Sequence, residues 1–307
     1  MADASPKSWF LANVAAAGSN TACLGVADSL YPLAPLAVAL GRSAPDSVMA
    51  LFADWEGSKS LLAALADGAA TSGVESIAAG SADLLAPLLY PGKILCAGAN
   101  YYDHMAEMGF PDVRKETQRL FFFMKPPRQA VVGAGRTVEM PRDTQKFDWE
   151  IELAAVIGKT ARYVTPETAL NYVGAYTVAI DLSARDSNQA PDQFYKLDWV
   201  AGKGNDTCCP LGPWIVPADS LGDPQQLAMK LWVNGVLKQD SDSSKMIFSI
   251  AEQIARASQI MTLEPGDLIL TGTPAGVGVP RKEFLAVGDS IEAEIEGIGR
   301  LRVSIKN

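Results

Sequence analysis

The only histidine in the 307 residues is His104, in the stretch "NYYDHMAEMG". Glu107 follows three positions later. On a helical turn those two side chains share a face. A carboxylate placed there can hold the imidazole in one tautomer and raise its basicity, as an orienting group does for a general base. An isolated His-x-x-Glu is more often a surface turn, so the pair needs a neighbouring site on which to act.

The acidic residues offer one. In "KFDWEIELAAVIGK", Glu150 and Glu152 are two apart. A strand turns alternate side chains to opposite faces, so both glutamates point one way, and Ile151 and Leu153 the other. Two carboxylates roughly 7 Å apart repel on a buried face unless a cation lies between them. Glu-x-Glu is common, and an exposed pair at the start of a strand is the plainer explanation. Asp181, in "GAYTVAIDLSARD", closes an apolar run that reads as a buried strand. It is either a turn or cap residue or a third ligand. If the three acids meet, they form an all-oxygen donor set suited to Mg²⁺ or Mn²⁺. A single histidine excludes a histidine-rich zinc site.

Two further loops qualify. Lys203 sits between glycines in "VAGKGNDTCCPLGPW", which is usual for a surface lysine and lacks the spacing of a phosphate-binding loop. "TGTPAGVG", residues 271 to 278, follows the apolar "DLIL". Its glycines permit close backbone approach to a ligand, and Thr273 offers a hydroxyl and an N–H. No helix is expected after that loop, which argues against a dinucleotide fold. No G-x-S-x-G is present, so a serine-hydrolase elbow is unsupported.

The elements that must position these residues are mostly strands. "SVMALFADWEGSKSLLAALADG" predicts helix from its three- and four-residue apolar spacing. "LLYPGK" then breaks the chain at Pro91 and Gly92, placing a boundary between a small α/β domain over 1–92 and a larger domain over 93–307. Beyond it, "KILCAGAN", "RLFFFMK", "IELAAVIG", "AYTVAID" and "PWIVP" read as short strands. "LWVNGVLK" predicts a hairpin at Asn234-Gly235, and "LEPGDLILTG" and "AVGDSIEAEIEGIGRLRVSI" continue the pattern. Helices are expected at "TPETALNYV", capped by Thr165 with Pro166 at the first position, and at "SIAEQIARASQI". The fold class is therefore α+β and β-rich, a sandwich or roll and not a doubly wound sheet.

Composition sets the limits. Hydrophobic residues make up 48% and the net charge is −9, an ordinary globular chain with no basic surface for nucleic acid or anionic lipid. No apolar run is long enough to span a bilayer. Cys23, Cys96, Cys208 and Cys209 form neither a disulfide framework nor a thiolate metal site, which favours a reducing compartment, the cytoplasm. The start, "MADASPKSWFLANVAAAGSN", reads as mature protein and not as a signal peptide.

"NYYDHMAEMG", "FFFMKPP", "DWEIELAAVIGK", "GAYTVAIDLSARD", "GKGNDTCCPLGPW", "LEPGDLILTGTPAGVG" and "VGDSIEAEIEGIG" together resemble the fumarylacetoacetate hydrolase family, over about residues 93 to 307. The resemblance implies a mixed β-sandwich roll found as a homodimer, with Glu150, Glu152 and Asp181 as ligands of Mg²⁺ or Mn²⁺. It implies His104 and Glu107 as a water-activating dyad on a mobile lid, Lys203 as an active-site lysine, and Thr273 as a substrate contact. Asn188 stands where many members carry glutamine, with Gln189 next to it, and both are left outside the expected site. The implied activity is hydrolysis of a C–C bond in an acylpyruvate-type oxo acid, as in aromatic catabolism. The same enolate chemistry also serves an oxaloacetate decarboxylase or a hydroxydienedioate isomerase. A non-catalytic dicarboxylate binder is the alternative from another class. Arg114, Lys115 and Arg119 after the dyad could attract a second substrate carboxylate, although a solvated charged loop is the plainer account.

Overall fold

In the computed structural model, which describes residues 9–16 and 19–307, the chain opens with an antiparallel meander. Its strands are β1 (Trp9–Ala16), β2 (Ser19–Val26) and β3 (Ser29–Pro32). Residues 1–8 and 17–18 of the stretch read as a mature N-terminus lie outside the described residues. The rest of that stretch is strand. Its apolar run is interrupted by Asn13. Asn13 is in fact buried, and its amide donates to the carbonyls of Ala86 and Pro87 at 3.0 Å each. The short helix α1 (Leu33–Ala39) follows. The helix predicted at 47–68 forms in two pieces, a turn at Val48–Leu51 and α2 (Trp55–Gly68). Ser47 and Asp54 cap them by accepting from the N–H groups of Ala50 and Gly57.

After Pro91 come β4 (Ile94–Gly98), α3 (Tyr102–Glu107), β5 (Phe121–Lys125), β6 (Ile151–Ile157) and β7 (Val173–Ile180). Then follow α4 (Trp199–Lys203), β8 (Cys209–Pro217), β9 (Ala228–Val233), β10 (Val236–Asp242) and α5 (Ile250–Ile260). The chain ends with β11 (Leu268–Leu270), β12 (Ser290–Ile295) and β13 (Gly299–Lys306). The β9–β10 hairpin turns at Asn234 and Gly235, both at positive φ (51° and 77°), the conformation that makes Asn-Gly a strong hairpin signal. Thr165 occupies the cap position of the helical turn Pro166–Ala169, but its side chain makes no capping hydrogen bond.

A 12-stranded sheet runs β3-β2-β1-β8-β7-β6-β11-β4-β5, with short strands at its margins. It is mixed, since β11 and β4 pair in parallel while most neighbours are antiparallel. A second sheet of five strands runs β10-β9-β12-β13 and ends on Thr137–Glu139. The fold is α+β and strand-rich, as expected. Residues on both sides of the Pro91–Gly92 break share the large sheet, through Leu11 opposite Ile215, and share a core in which Leu11, Phe52 and Trp55 join Ile94, Leu211 and Leu268.

Both faces of the large sheet are covered. In β6, Ile151, Leu153, Ala155 and Ile157 belong to one apolar core, and Ala154 and Val156 to the other. A strand buried on both faces loses its polar alternation, which is why "IELAAVIG" reads as a continuous apolar run. The sheet also curls. β5 lies four strand spacings from β7, roughly 19 Å if flat, yet Lys125 at the end of β5 reaches Asp181 after β7 at 2.8 Å.

Candidate active site

The acidic cluster follows from strand register. β6 and β7 pair antiparallel with Ile151 opposite Ile180 and Glu152 opposite Ala179. One step outward the ladder continues, because the Asp181 N–H donates to the Glu150 carbonyl at 2.9 Å. Glu150 and Asp181 are therefore cross-strand neighbours, and Glu152, two residues along, shares their face. Each offers a carboxylate oxygen, all within 4.8 Å of one another, and all three side chains are buried.

Three cations hold this cluster, and only one of them was expected. The Lys203 ammonium, at the end of α4, lies 2.8 Å from Glu150 Oε2 and 2.6 Å from Asp181 Oδ2. Arg185 pairs with Asp148 Oδ2 at 2.9 Å and approaches Glu150 Oε1 at 2.5 Å. Lys125 sits 2.8 Å from Asp181 Oδ1. The ammonium of Lys125, however, already donates to the carbonyls of Leu182, Lys203 and Cys208 at 2.9, 2.7 and 2.9 Å. Its three protons are spent there, so Asp181 Oδ1 has positive charge beside it but receives no hydrogen bond. Lys125 was legible only as a lysine closing the apolar run "FFFMK". Arg185 lay in "SARD", with nothing local to mark it.

Charge in the cluster is uneven. Asp148, Glu150, Glu152 and Asp181 are four buried carboxylates facing three cations, and Glu152 is the one without a cationic partner among these pairs. It accepts a hydrogen bond from the Gly272 N–H at 2.7 Å. Burial pushes the Glu152 carboxyl well above the usual range, and the charges of Asp181 and Glu150 push it further. Glu150 goes the other way: burial raises it, but Arg185 and Lys203 outweigh burial and hold it well below the usual range. An orphaned Asp181 oxygen, a surplus negative charge and an all-oxygen donor set fit a divalent cation of the Mg²⁺ or Mn²⁺ type. A buried carboxylate group without such compensation is strongly disfavoured.

The dyad faces this cluster across a cavity of about 230 Å³, whose lining includes His104, Glu150, Glu152, Arg185, Lys203 and Thr273. On α3, His104 Nδ1 lies 2.8 Å from Glu107 Oε1, and Glu107 Oε2 accepts from the Gly276 N–H at 2.8 Å. A carboxylate only accepts, so the shared proton sits on Nδ1 and the Nε2 lone pair is left available. α3 is also fastened at its first turn. Asp103 accepts from the His104 and Ala275 N–H groups and from the Ser241 hydroxyl at 2.6 Å.

The loop of residues 271–278 is held from behind. Buried Gln239 on β10 accepts from the Ile151 N–H and donates to Thr273 Oγ1 and to the Pro274 carbonyl, each at 2.9 Å. Thr273 Oγ1 therefore spends an acceptor position on Gln239 and keeps its proton to donate elsewhere. Gln239 was not anticipated, since a glutamine in a hairpin strand carries no local signal. Asn188 and Gln189 do not line the cavity. Neither do Arg114, Lys115 and Arg119, and Lys115 is bound to Glu252 at 2.6 Å.

The fold is strand-rich and mixed, and it brings a buried carboxylate triad that could hold a metal ion beside a histidine–glutamate pair, the arrangement of an enzyme site. The chain belongs to the fumarylacetoacetate hydrolase family: the family description "Fumarylacetoacetate (FAA) hydrolase C-terminal" matches residues 93–306. Among curated relatives, the oxaloacetate tautomerase FAHD2B, mitochondrial, of Bos taurus is 44% identical over 217 residues, 70% of this chain and 67% of that protein. Among solved structures, the fumarylacetoacetate hydrolase of Exiguobacterium antarcticum is 32% identical with a TM-score of 0.78, covering 97% of this chain and 99% of its own. The maleylpyruvate hydrolase of Sphingobium sp. SYK-6, in complex with manganese(II) and pyruvate, is 31% identical with a TM-score of 0.74, covering 97% and 98%. No helix among the described residues is long and apolar enough to cross a membrane.

Proposed function

We propose that the protein is a divalent-metal-dependent hydrolase that splits an acylpyruvate-type oxo acid into pyruvate and a carboxylic acid. The observation that carries this reading is the meeting of two kinds of group at one small cavity: Glu150 and Glu152, which line it with the Asp181 carboxylate clustered behind them, and His104, which lines it with Glu107 held on its Nδ1. Glu150, Glu152 and Asp181 would hold a divalent cation, which would supply Lewis-acid polarisation at the 2-oxo acid end of the substrate.

The residues then account for the proton movements. His104 Nε2 takes a proton from water, and Glu107 stabilises the resulting imidazolium through Nδ1. The hydroxide adds to the distal acyl carbonyl. Collapse of the adduct breaks the bond between the acyl carbon and C3, and the electron pair passes to C3 as the enolate of pyruvate. The Lys203 ammonium lies beside the oxygens where that charge develops. A proton from His104 or Lys203 then goes to C3 and gives pyruvate. The protein is proposed to act as a homodimer in the cytoplasm, where its four buried thiols remain reduced.

The test is direct. Acetylpyruvate incubated with Mn²⁺- or Mg²⁺-loaded protein in H₂¹⁸O should yield pyruvate and acetate, with the label in acetate. Chelation should stop the reaction. Loss of the acetylpyruvate chromophore without pyruvate release would refute hydrolysis.

The 44% identity to proteins named oxaloacetate tautomerases favours a second reading. There the same groups move a proton between C3 and the oxygen of oxaloacetate without consuming water. Decay of enol-oxaloacetate absorbance with no pyruvate and no label uptake would identify that activity.

A further inference from the structure

The cavity is polar at one end only. His104, Glu150, Glu152, Arg185 and Lys203 line it; Arg185 and Lys203 are paired with Glu150, His104 with Glu107, and Glu152 accepts from the Gly272 N–H. The remaining wall is apolar and comes from two directions. Phe121 and Phe123 on β5 join Trp199 on α4; Met105, Met108 and Phe110 come from α3 and the turn after it.

The aromatic part is a built shelf. Phe123 and Trp199 stack at 5.0 Å with planes 13° apart, and Phe121 meets Trp199 at 5.6 Å. The shelf begins where the polar end stops, because the Lys203 ammonium lies 5.0 Å from the centre of the Phe123 ring. Phe110 is 59% exposed, Phe121 38% and Met108 37%, so this wall presents large apolar surface left open by the described residues. The nearby basic residue Lys115 is tied to Glu252 and lies over the Phe248 ring, outside the cavity. Among the described residues that line the apolar end none is a cation that could receive a second carboxylate, and burying one there unpaired is costly. The volume, about 230 Å³, is below the roughly 300–1,000 Å³ of sites for drug-sized ligands.

We infer that the substrate's acyl group is a small apolar one, an alkyl chain or a phenyl ring, and that tails ending in a carboxylate are rejected. The inference rests on the acylpyruvate reading for the position of the 2-oxo acid end. It also sets the chain apart from an oxaloacetate reading, whose substrate carries a second carboxylate.

The test is calorimetric binding of length-matched 2-oxo acids to the full-length Mn²⁺-loaded protein. 2-Oxohexanoate should bind at least tenfold more tightly than 2-oxoadipate. From 2-oxobutanoate to 2-oxohexanoate the dissociation constant should fall about fourfold per methylene. Phe121→Arg, and independently Met108→Lys, place a cation at the apolar end at partly exposed positions. Each should reduce the preference for the apolar tail by at least tenfold. Equal or tighter binding of 2-oxoadipate by the unaltered protein would overturn the inference. So would no binding of either acid, or a preference unmoved in both variants. Release of pyruvate from acetylpyruvate, which has no long tail, judges the proposed reaction separately.

Discussion

In the proposed hydrolysis, His104 is the residue on which water chemistry depends. Its Nδ1 is committed to Glu107, and no other imidazole exists in the chain to replace it. His104→Ala should lower kcat at least ~100-fold, the usual scale for losing a general base, while the melting temperature changes little. Turnover near that of the unaltered protein would remove the dyad from the mechanism. The pair was legible from its three-residue spacing, and helix α3 sets it as that spacing requires. Lys125 and Arg185 were not legible. A cation's role at a buried cluster depends on which distant strands bring acids to it, and Lys125 touches Asp181 only because the sheet curls.

At the scale of elements, two fastenings decide whether the cavity keeps its shape. Gln239 bridges the start of β6 to the 271–278 loop through three hydrogen bonds. Gln239→Ala leaves the Ile151 N–H and the Pro274 carbonyl without that partner, and an unsatisfied buried group costs about 1–3 kcal/mol. Urea denaturation should show a loss of at least that size, with a raised KM from the displaced Thr273. The second fastening joins α5 to the segment after α3. Ser249 and Glu252 form a capping box, and Glu252 also binds Lys115 at 2.6 Å. Partial burial raises the Glu252 carboxyl, but the hydrogen bonds from Lys115 and Ser249 outweigh it and hold it below the usual value. A carboxyl depressed in the folded state stabilises fully above its ordinary value of about 4.3. That stabilisation is lost as pH falls through the lower folded value. Melting of Glu252→Gln beside the unaltered protein should therefore show a gap at neutral pH that narrows on acidification. A gap independent of pH would place the effect of the substitution elsewhere.

For the molecule as a whole, a divalent cation held by the carboxylate cluster would couple metal binding to folding. An ion that binds only the folded chain stabilises it by about 2.7 kcal/mol at one hundred times its dissociation constant. Mn²⁺ should raise the unfolding free energy by that amount and a chelator should reverse it. Glu150→Ala should abolish the shift. A shift preserved in that variant would place the ion at other ligands. Local pattern alone determined a good deal: a strand-rich α+β chain, the Asn-Gly hairpin, and Glu150 and Glu152 spaced to face one way. Those features are set by residues within a few positions of one another, where alternation and backbone preference act directly. The tertiary structure decided the rest: β1 as an interior strand despite Asn13, Lys125 and Arg185 among the acids, Gln239 behind Thr273, and an aromatic shelf from β5 and α4. These come from segments tens of residues apart. Their meeting is fixed by strand order and sheet curvature, properties of the folded chain that no short window of sequence contains.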